Sequence, residues 1–361
     1  MIPREGDTIL VTGGAGFIGS NLAMRLLERG CRVRVLDSLE RPGVERNLEW
    51  LVAAHGDRVE PLIADLTDPQ AVTRAVAGVD AAFHFAAQVA VTTSLADPRL
   101  DFAVNLAGTF ALLEALRRDR PGAPLIFAST NKVYGDLADL AFRDDGAGYV
   151  PSDRALAAHG VAENRALDFH TPYGCSKGAA DQYVLEYARS FGLRAAVLRM
   201  SCIYGERQMG TEDQGWVAHF LIRALAGETI TLYGDGRQVR DICDVADTCA
   251  AYLAALERIE AVAGRAFNWG GGPANAVSLL TLIDEIGRIT GAAPRVAFSD
   301  WRAGDQRWFV ADTRAADAAL GLPPRKAWRE GVRDLAAWLA GSRPAPAASA
   351  PTPALAPERV G

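Results

Sequence analysis

The stretch TILVTGGAGFIGS (8–20) decides the fold. Its first five residues are aliphatic or β-branched and read as a buried strand. Gly13, Gly16 and Gly19 then follow at spacings of three, and Ile18, Leu22 and Leu26 recur every four residues, as one face of a helix does. Gly30 is placed to close that helix. A strand, a glycine turn and a helix in this order form a cradle for a dinucleotide pyrophosphate. Gly13 permits the sharp turn, Gly16 lets the backbone approach the phosphates, and Gly19 lets the helix close on the strand. Phe17 and Ile18 open the helix whose N-terminus faces the anion. Glycines also punctuate ordinary turns, so the spacing needs a second feature. RVRVLD (32–37) supplies it, because it ends on Asp37 about twenty residues downstream. A carboxylate there bonds a ribose 2′-hydroxyl and repels a 2′-phosphate, which predicts NAD rather than NADP.

Working outward, apolar runs at 59–66, 81–87, 124–130 and 194–201 alternate with helical patterns, including 99–118 and 172–191. That alternation predicts an α/β fold, a Rossmann-type doubly wound parallel sheet. Asp65-Leu66 and Ala86-Ala87 close the third and fourth strands. Ligands of such sheets bind at strand carboxyl ends, so all four are candidate cofactor residues. Beyond Arg199 the pattern loosens into strand, turn and strand (230–247), an amphipathic helix (278–290) and a last helix (332–340). The expected division is an NAD-binding domain at 1–200, with some later segments packing back onto it. A smaller C-terminal α/β substrate domain covers 201–340, and an Ala/Pro-rich tail at 341–361 is expected to be disordered.

The 361 residues carry a net charge of −6 and are 49% hydrophobic. An acidic chain of this kind is not expected to bind nucleic acid. No apolar run approaches the roughly 18 residues of a membrane span, and MIPREGDTIL has no apolar signal core. Five scattered cysteines without a Cys-x-x-Cys pair suit a reducing cytoplasm. Five histidines without ligand spacing predict no metal site.

The chemistry is predicted from two segments. TPYGCSK (171–177) opens on Thr-Pro, a helix start, and places Tyr173 and Lys177 four apart on one helix face. A tyrosine, with a pKa of roughly 10, is a poor base at neutral pH. A neighbouring ammonium and an oxidised nicotinamide favour its phenolate. The pair therefore suits removal of an alcohol proton while hydride leaves the carbon. ASTNKVYG (128–135) adds a hydroxyl, Thr130, at a strand end.

Together these segments resemble the extended short-chain dehydrogenase/reductase superfamily, the NAD-dependent nucleotide-sugar epimerases and dehydratases, over about residues 8–340. The resemblance implies that Thr130 bonds the reacting hydroxyl, with Tyr173 and Lys177 as its catalytic partners beside the nicotinamide. The 4,6-dehydratases of that superfamily follow the threonine with Asp-Glu, an acid and base for loss of water. Here Asn131 and Lys132 stand instead, and Asn131 is a candidate for bonding a sugar hydroxyl. Longer strings, among them ERPGVERNLEWL (40–51), AAQVAVTTSLADP (86–98), STNKVYGDL (129–137), YGERQMGTEDQGWV (204–217) and GDQRWFVAD (304–312), are similar to the CDP-paratose 2-epimerases, also called CDP-tyvelose epimerases.

That narrower resemblance implies a nucleotide diphosphate sugar as substrate, a CDP-hexose of the 3,6-dideoxy type, inverted at C2. Arg240 matches the family arginine that reaches the diphosphate, and Arg302 or Arg307 is expected to complete the clamp. Trp216 is a candidate for packing on sugar or base, and His170 for shaping the sugar pocket. Many 4-epimerases carry Asn where Cys202 stands, and Glu206 and Met209 also depart from the pattern. A homodimer through helices near 99–118 and 172–191 is implied as well. The alternatives are an NAD-dependent 4-epimerase of a UDP- or dTDP-sugar and a non-catalytic NAD-sensing module. The latter has no use for Thr130, Tyr173 and Lys177 together.

Overall fold

The computed structural model describes residues 1–342, so the Ala/Pro-rich tail expected to be disordered lies outside the described residues except for its first two positions. Seven strands form the central sheet: β1 (Thr8–Thr12), β2 (Arg32–Asp37), β3 (Val59–Ile63), β4 (Ala81–His84), β5 (Leu125–Thr130), β6 (Ala195–Met200) and β7 (Ala266–Trp269). Their spatial order is β7-β6-β5-β4-β1-β2-β3, and every pairing is parallel. The order reverses between β1 and β4, the switch point at which α/β sheets bind ligands.

Alternation along the strands builds one core on each face. Ile9, Val11, Val33 and Val35 meet the Phe17–Glu28 and Val245–Glu257 helices on one side. Leu10, Leu36, Leu125 and Phe127 meet the Pro69–Val76, Thr109–Asp119 and Thr171–Phe191 helices on the other. Leu22 and Leu26 of the first helix are fully buried, each contributing about 1.5–3 kcal/mol. Gly30 follows that helix with φ +85°, the left-handed turn that ends it.

The chain returns to this sheet after residue 200, since β7 pairs with β6. The smaller part has its own core, in which Val217, Leu221, Leu232, Ile242, Leu282 and Leu335 are buried. Its strand Val239–Asp244 pairs with Ala276–Ser278, Trp308–Phe309 and Cys202–Tyr204, while Ile230–Tyr233 pairs with Val296–Ser299. Among the described residues no helix is long and apolar enough to cross a membrane.

Candidate active site

The carboxyl ends of β1, β4 and β5 converge at the switch point. Gly13 has φ +66°, and a Cβ there would lie 2.6 Å from the Ala86 backbone nitrogen. Glycine is thus required where the β1 turn touches the end of β4, the sharp turn predicted. Gly19 packs equally close, because a Cβ would run into the Gly13 carbonyl. At Gly16 a Cβ would meet only the Gly13 oxygen, at 3.1 Å, so its outer side is open. The Phe17–Glu28 helix starts there with no side-chain cap and no acidic residue in its first turn. Its free N–H groups and positive dipole end suit a pyrophosphate.

Asp37 stands at the end of β2. Its Oδ2 accepts from Ala15 N (3.0 Å) and its Oδ1 from Leu39 N (3.0 Å), which tie it to the glycine loop. Burial pushes its pKa up, and these backbone N–H bonds oppose the rise. Ala86 N donates to Thr12 Oγ1 (3.2 Å), which fixes the backbone of the β4 end. Ala87 follows it, partly buried. Asp65 spends its Oδ1 on Thr67 N and Thr67 Oγ1, at 2.7 and 2.6 Å, in a local turn. Leu66 is buried against Gly108, where a Cβ would lie 2.8 Å from Leu66 Cδ2. Two links bring the second part of the chain to this end: Asn21 Nδ2 donates to Glu206 O (3.1 Å), and Met209 packs on Gly43.

The three residues read as catalytic come together at the end of β5. The Thr-Pro pair opens the Thr171–Phe191 helix one residue earlier than an N-cap at Thr171 would place it: His170 is the N-cap, without a side-chain bond, and Thr171 Oγ1 accepts from Gly174 N (3.3 Å). Tyr173 and Thr130 stand close enough for the Thr130 hydroxyl to lower the pKa of the phenol. Lys177 Nζ donates to Ala128 O (2.7 Å) and lies 4.3 Å from the centre of the Phe127 ring. Tyr173, Lys177 and Thr130 are all buried. Burial pushes Tyr173 up to about 12, against the Thr130 hydroxyl, and pushes Lys177 down to about 7, against Asp181 and Asp101. Alone, then, Tyr173 keeps its proton at neutral pH, and a further cation beside it is what would make it a base. His84 under the sheet is held neutral, its pKa pushed to about 3 by burial and by Lys177. Below the pair, Arg199 and Asp181 form a buried two-pronged ion pair, with Nε–Oδ2 and Nη2–Oδ1 both 2.9 Å.

The odd dipeptide after Thr130 faces the segment Gly304–Gln306. Asn131 Nδ2 donates to Gln306 Oε1 (3.2 Å), and Lys132 Nζ donates to Gly304 O (3.0 Å). Gln306, wholly buried, donates in turn to Gly135 O (2.6 Å). Thr130 Oγ1 donates to Asn131 Oδ1 (3.3 Å), so the clasp reaches the Thr130 hydroxyl. Asp305 Oδ1 accepts from Arg240 Nη2 (2.6 Å) and lies 4.0 Å from Lys132 Nζ. Burial alone would raise the Asp305 pKa, but Arg240 and Lys132 hold it below the usual carboxylate value. Two cations therefore meet one carboxylate, which leaves a positive excess suited to a diphosphate.

The other expected contacts scatter. Arg302 Nη1 donates to Glu212 O (3.0 Å), and its guanidinium covers the Tyr233 ring at 3.8 Å. Arg307 is exposed and lies 5.5 Å from the Tyr149 ring. Trp216 packs edge-on against Phe220 (5.6 Å), and it lowers the pKa of the Cys202 thiol, which burial pushes up. His170 stands between Asp136 (3.3 Å) and Asp168 (3.2 Å), at the helix entrance.

Sequence reasoning missed Asp305 and Gln306, although it quoted the string that contains them. It also missed Asn105, a buried amide inside the π-helical turn Ala103–Gly108. Such turns often mark functional positions, yet nothing in the apolar spacing signals one.

The model of the NAD dependent epimerase/dehydratase family matches residues 9–270 of this chain. The chain belongs to the NAD dependent epimerase/dehydratase family. It is 40% identical to the CDP-paratose 2-epimerase of Salmonella typhi, over 91% of this chain and 98% of that protein. It is 33% identical to a UDP-glucose 4-epimerase of Mycolicibacterium smegmatis, over 90% of this chain and 95% of the relative. Among solved structures, the Thermus thermophilus UDP-glucose 4-epimerase in complex with NAD superposes with a TM-score of 0.78. It is 32% identical and is matched over 93% of this chain and all of that one. This chain is accordingly an NAD-dependent enzyme of the family, and the open face of Gly16, the uncapped helix start and Asp37 fit that cofactor.

Proposed function

We propose that the protein inverts C2 of a CDP-3,6-dideoxyhexose, of the CDP-paratose to CDP-tyvelose type, through a transient 2-keto sugar. The observation that carries this reading is the surrounding of Thr130. The Thr130–Tyr173–Lys177 group is complete for alcohol oxidation, while the two following positions hold Asn131 and Lys132, engaged with Gln306 and Gly304. No carboxyl pair stands there to eliminate water. Support for the sugar comes from the 40% identity to a CDP-paratose 2-epimerase, set against 33% to a UDP-glucose 4-epimerase.

In this account Tyr173 takes the proton of the sugar hydroxyl, Thr130 orients that hydroxyl, and Lys177 stabilises the phenolate. Gly13, Gly16, Gly19 and Asp37, with Ala86 and Ala87 at the end of β4, would hold NAD, which would serve as the reversible hydride acceptor. Oxidation is needed because a C–H bond beside an unactivated alcohol is too weakly acidic for direct removal. Arg240 and Lys132 are proposed to hold the diphosphate while the planar sugar turns over. Inversion at C4 of a UDP- or dTDP-sugar is the second reading, favoured by the UDP-glucose 4-epimerase likeness and opposed by Cys202 in the usual asparagine position.

A homodimer belongs to the same proposal. Phe102, Phe110, Tyr183 and Phe191 are exposed on neighbouring helices, with Phe110 and Tyr183 in edge contact at 5.8 Å. Exposed aromatic groups so close together suit an interface. A cytoplasmic location is also part of this reading. A panel of CDP-, UDP- and dTDP-sugars, with product stereochemistry read by NMR, tests the sugar assignment. Inversion at C2 of the CDP-dideoxyhexose is expected. Turnover confined to C4 of a UDP- or dTDP-sugar would overturn it.

A further inference from the structure

Behind the Tyr173–Lys177 pair lies a carboxyl that the chemistry above does not use. Asp101, on the short helix Pro98–Phe102, is 1% exposed. Its Oδ1 accepts from Gln88 Nε2 and from Asn105 Nδ2, each at 3.0 Å. Its Oδ2 is buried and accepts nothing. The Ser176 hydroxyl donates to Tyr173 O (3.2 Å) and also acts on the Asp101 carboxyl, lowering the pKa that burial raises. The partners of Asp101 are thus amides and a hydroxyl, and none is a cation. A buried carboxylate in this state is costly unless a positive charge compensates it.

Lys177 is the ammonium in its field. The connection is also physical. Asn105 Nδ2 lies 3.0 Å from Asp101 Oδ1 and 3.1 Å from Ser176 Oγ, and Ser176 bonds Tyr173 O. Two links thus join Asp101 to the helical turn that carries both Tyr173 and Lys177. The π-helical turn Ala103–Gly108 begins two residues after Asp101 and carries Asn105.

We propose that Asp101 is a positioning residue that supplies the counter-charge of the Tyr173–Lys177 pair and sets the pH window in which the pair exchanges protons. This rests on Tyr173 and Lys177 as the proton-handling pair, and not on the identity of the sugar. The other charges facing the pair are accounted for. Asp181, on the same helix, is locked to Arg199 of β6. His84 of β4 is neutral, and β5 presents Thr130 and the Ala128 carbonyl. With Asp101 ionised, Lys177, Arg199, Asp181 and Asp101 sum to zero. One cation added by the nicotinamide is then balanced by one phenolate at Tyr173.

The sign follows. A negative neighbour holds protons on both members, and Asp101 raises the pKa of Tyr173 and of Lys177 alike. Removing its charge should let both titrate at lower pH.

The test is a phenolate titration of NAD-loaded protein by ultraviolet difference absorbance, with Tyr173→Phe as the blank. In Asp101→Asn the Tyr173 midpoint is expected to fall by about one pH unit. Asp101→Glu, which keeps the charge, should stay close to the wild-type value. An unchanged midpoint in Asp101→Asn, or the same fall in Asp101→Glu, would overturn the proposal. Asp101→Ser leaves room for a water and serves as a second neutral variant if Asp101→Asn does not fold, with the same expected fall. The readout uses no sugar, so its failure leaves the C2 assignment standing, and a failed C2 assignment leaves this result standing.

Discussion

Replacing Gln306 with leucine isolates the clasp between the catalytic strand end and the substrate part. The two side chains have similar volume, so little cavity forms. Two groups lose their partner: Asn131 Nδ2, now 3.2 Å from Gln306 Oε1, and Gly135 O, now 2.6 Å from Gln306 Nε2. Gln306 is 0% exposed, so water cannot readily take its place. An orphaned buried polar group costs about 1–3 kcal/mol, which gives about 2–6 kcal/mol of lost stability for the pair. The catalytic consequence is separate. Asn131 Oδ1 lies beside Thr130 Oγ1 (3.3 Å), so a freed Asn131 no longer holds the hydroxyl beside Tyr173. A displacement of about 1 Å at such a site costs about a hundredfold in rate. Urea unfolding of the NAD-loaded protein reads the first quantity, and steady-state kinetics the second. The expected result is a clearly lower midpoint and a kcat reduced by about ten- to a hundredfold. KM should change little, because the nucleotide clamp is untouched. A stability change under about 0.5 kcal/mol with kcat within about twofold would refute the reasoning.

Three further outcomes follow from the same geometry. Tyr173→Phe should abolish turnover while NAD stays bound, measured by cofactor content after desalting; near-normal turnover would remove Tyr173 from its role. Asp37→Ser should relax the preference for NAD over NADP in cofactor-binding titrations, since the carboxylate that repels a 2′-phosphate is gone; an unchanged preference would mean that Asp37 does not face the ribose. Arg199→Met leaves the wholly buried Asp181 without its partner and should destabilise the protein by about 3–5 kcal/mol in urea unfolding, far more than breaking an exposed pair such as Arg118–Asp119.

The first six strands of the large sheet were legible because each is a short apolar run between turn and helix signals. β7 was not, since AFNW (266–269) is four residues long and pairs with a strand nearly seventy positions earlier. Local pattern carries no information on that pairing. The clustering of Thr130, Tyr173 and Lys177 was legible for a similar reason in reverse: Tyr173 and Lys177 share one helix face, and Thr130 ends a strand. Gln306 contacts Asn131 across 175 residues, and Asp101 is linked to the Tyr173 carbonyl through Asn105 and Ser176. Among the arginines, charge alone did not separate Arg240, which meets Asp305 beside Lys132, from the exposed Arg307 against Tyr149. The two residues after Thr130 were singled out in the sequence, but their partners lie on the 304–306 segment, which only the fold brings near.

Incubation of the enzyme with a CDP-3,6-dideoxyhexose in deuterium oxide tests transient oxidation at C2 most directly. Hydride abstraction and return predict a C2-inverted product that keeps its original hydrogen at C2. Solvent deuterium at C2 would mean direct deprotonation of carbon and would contradict the account.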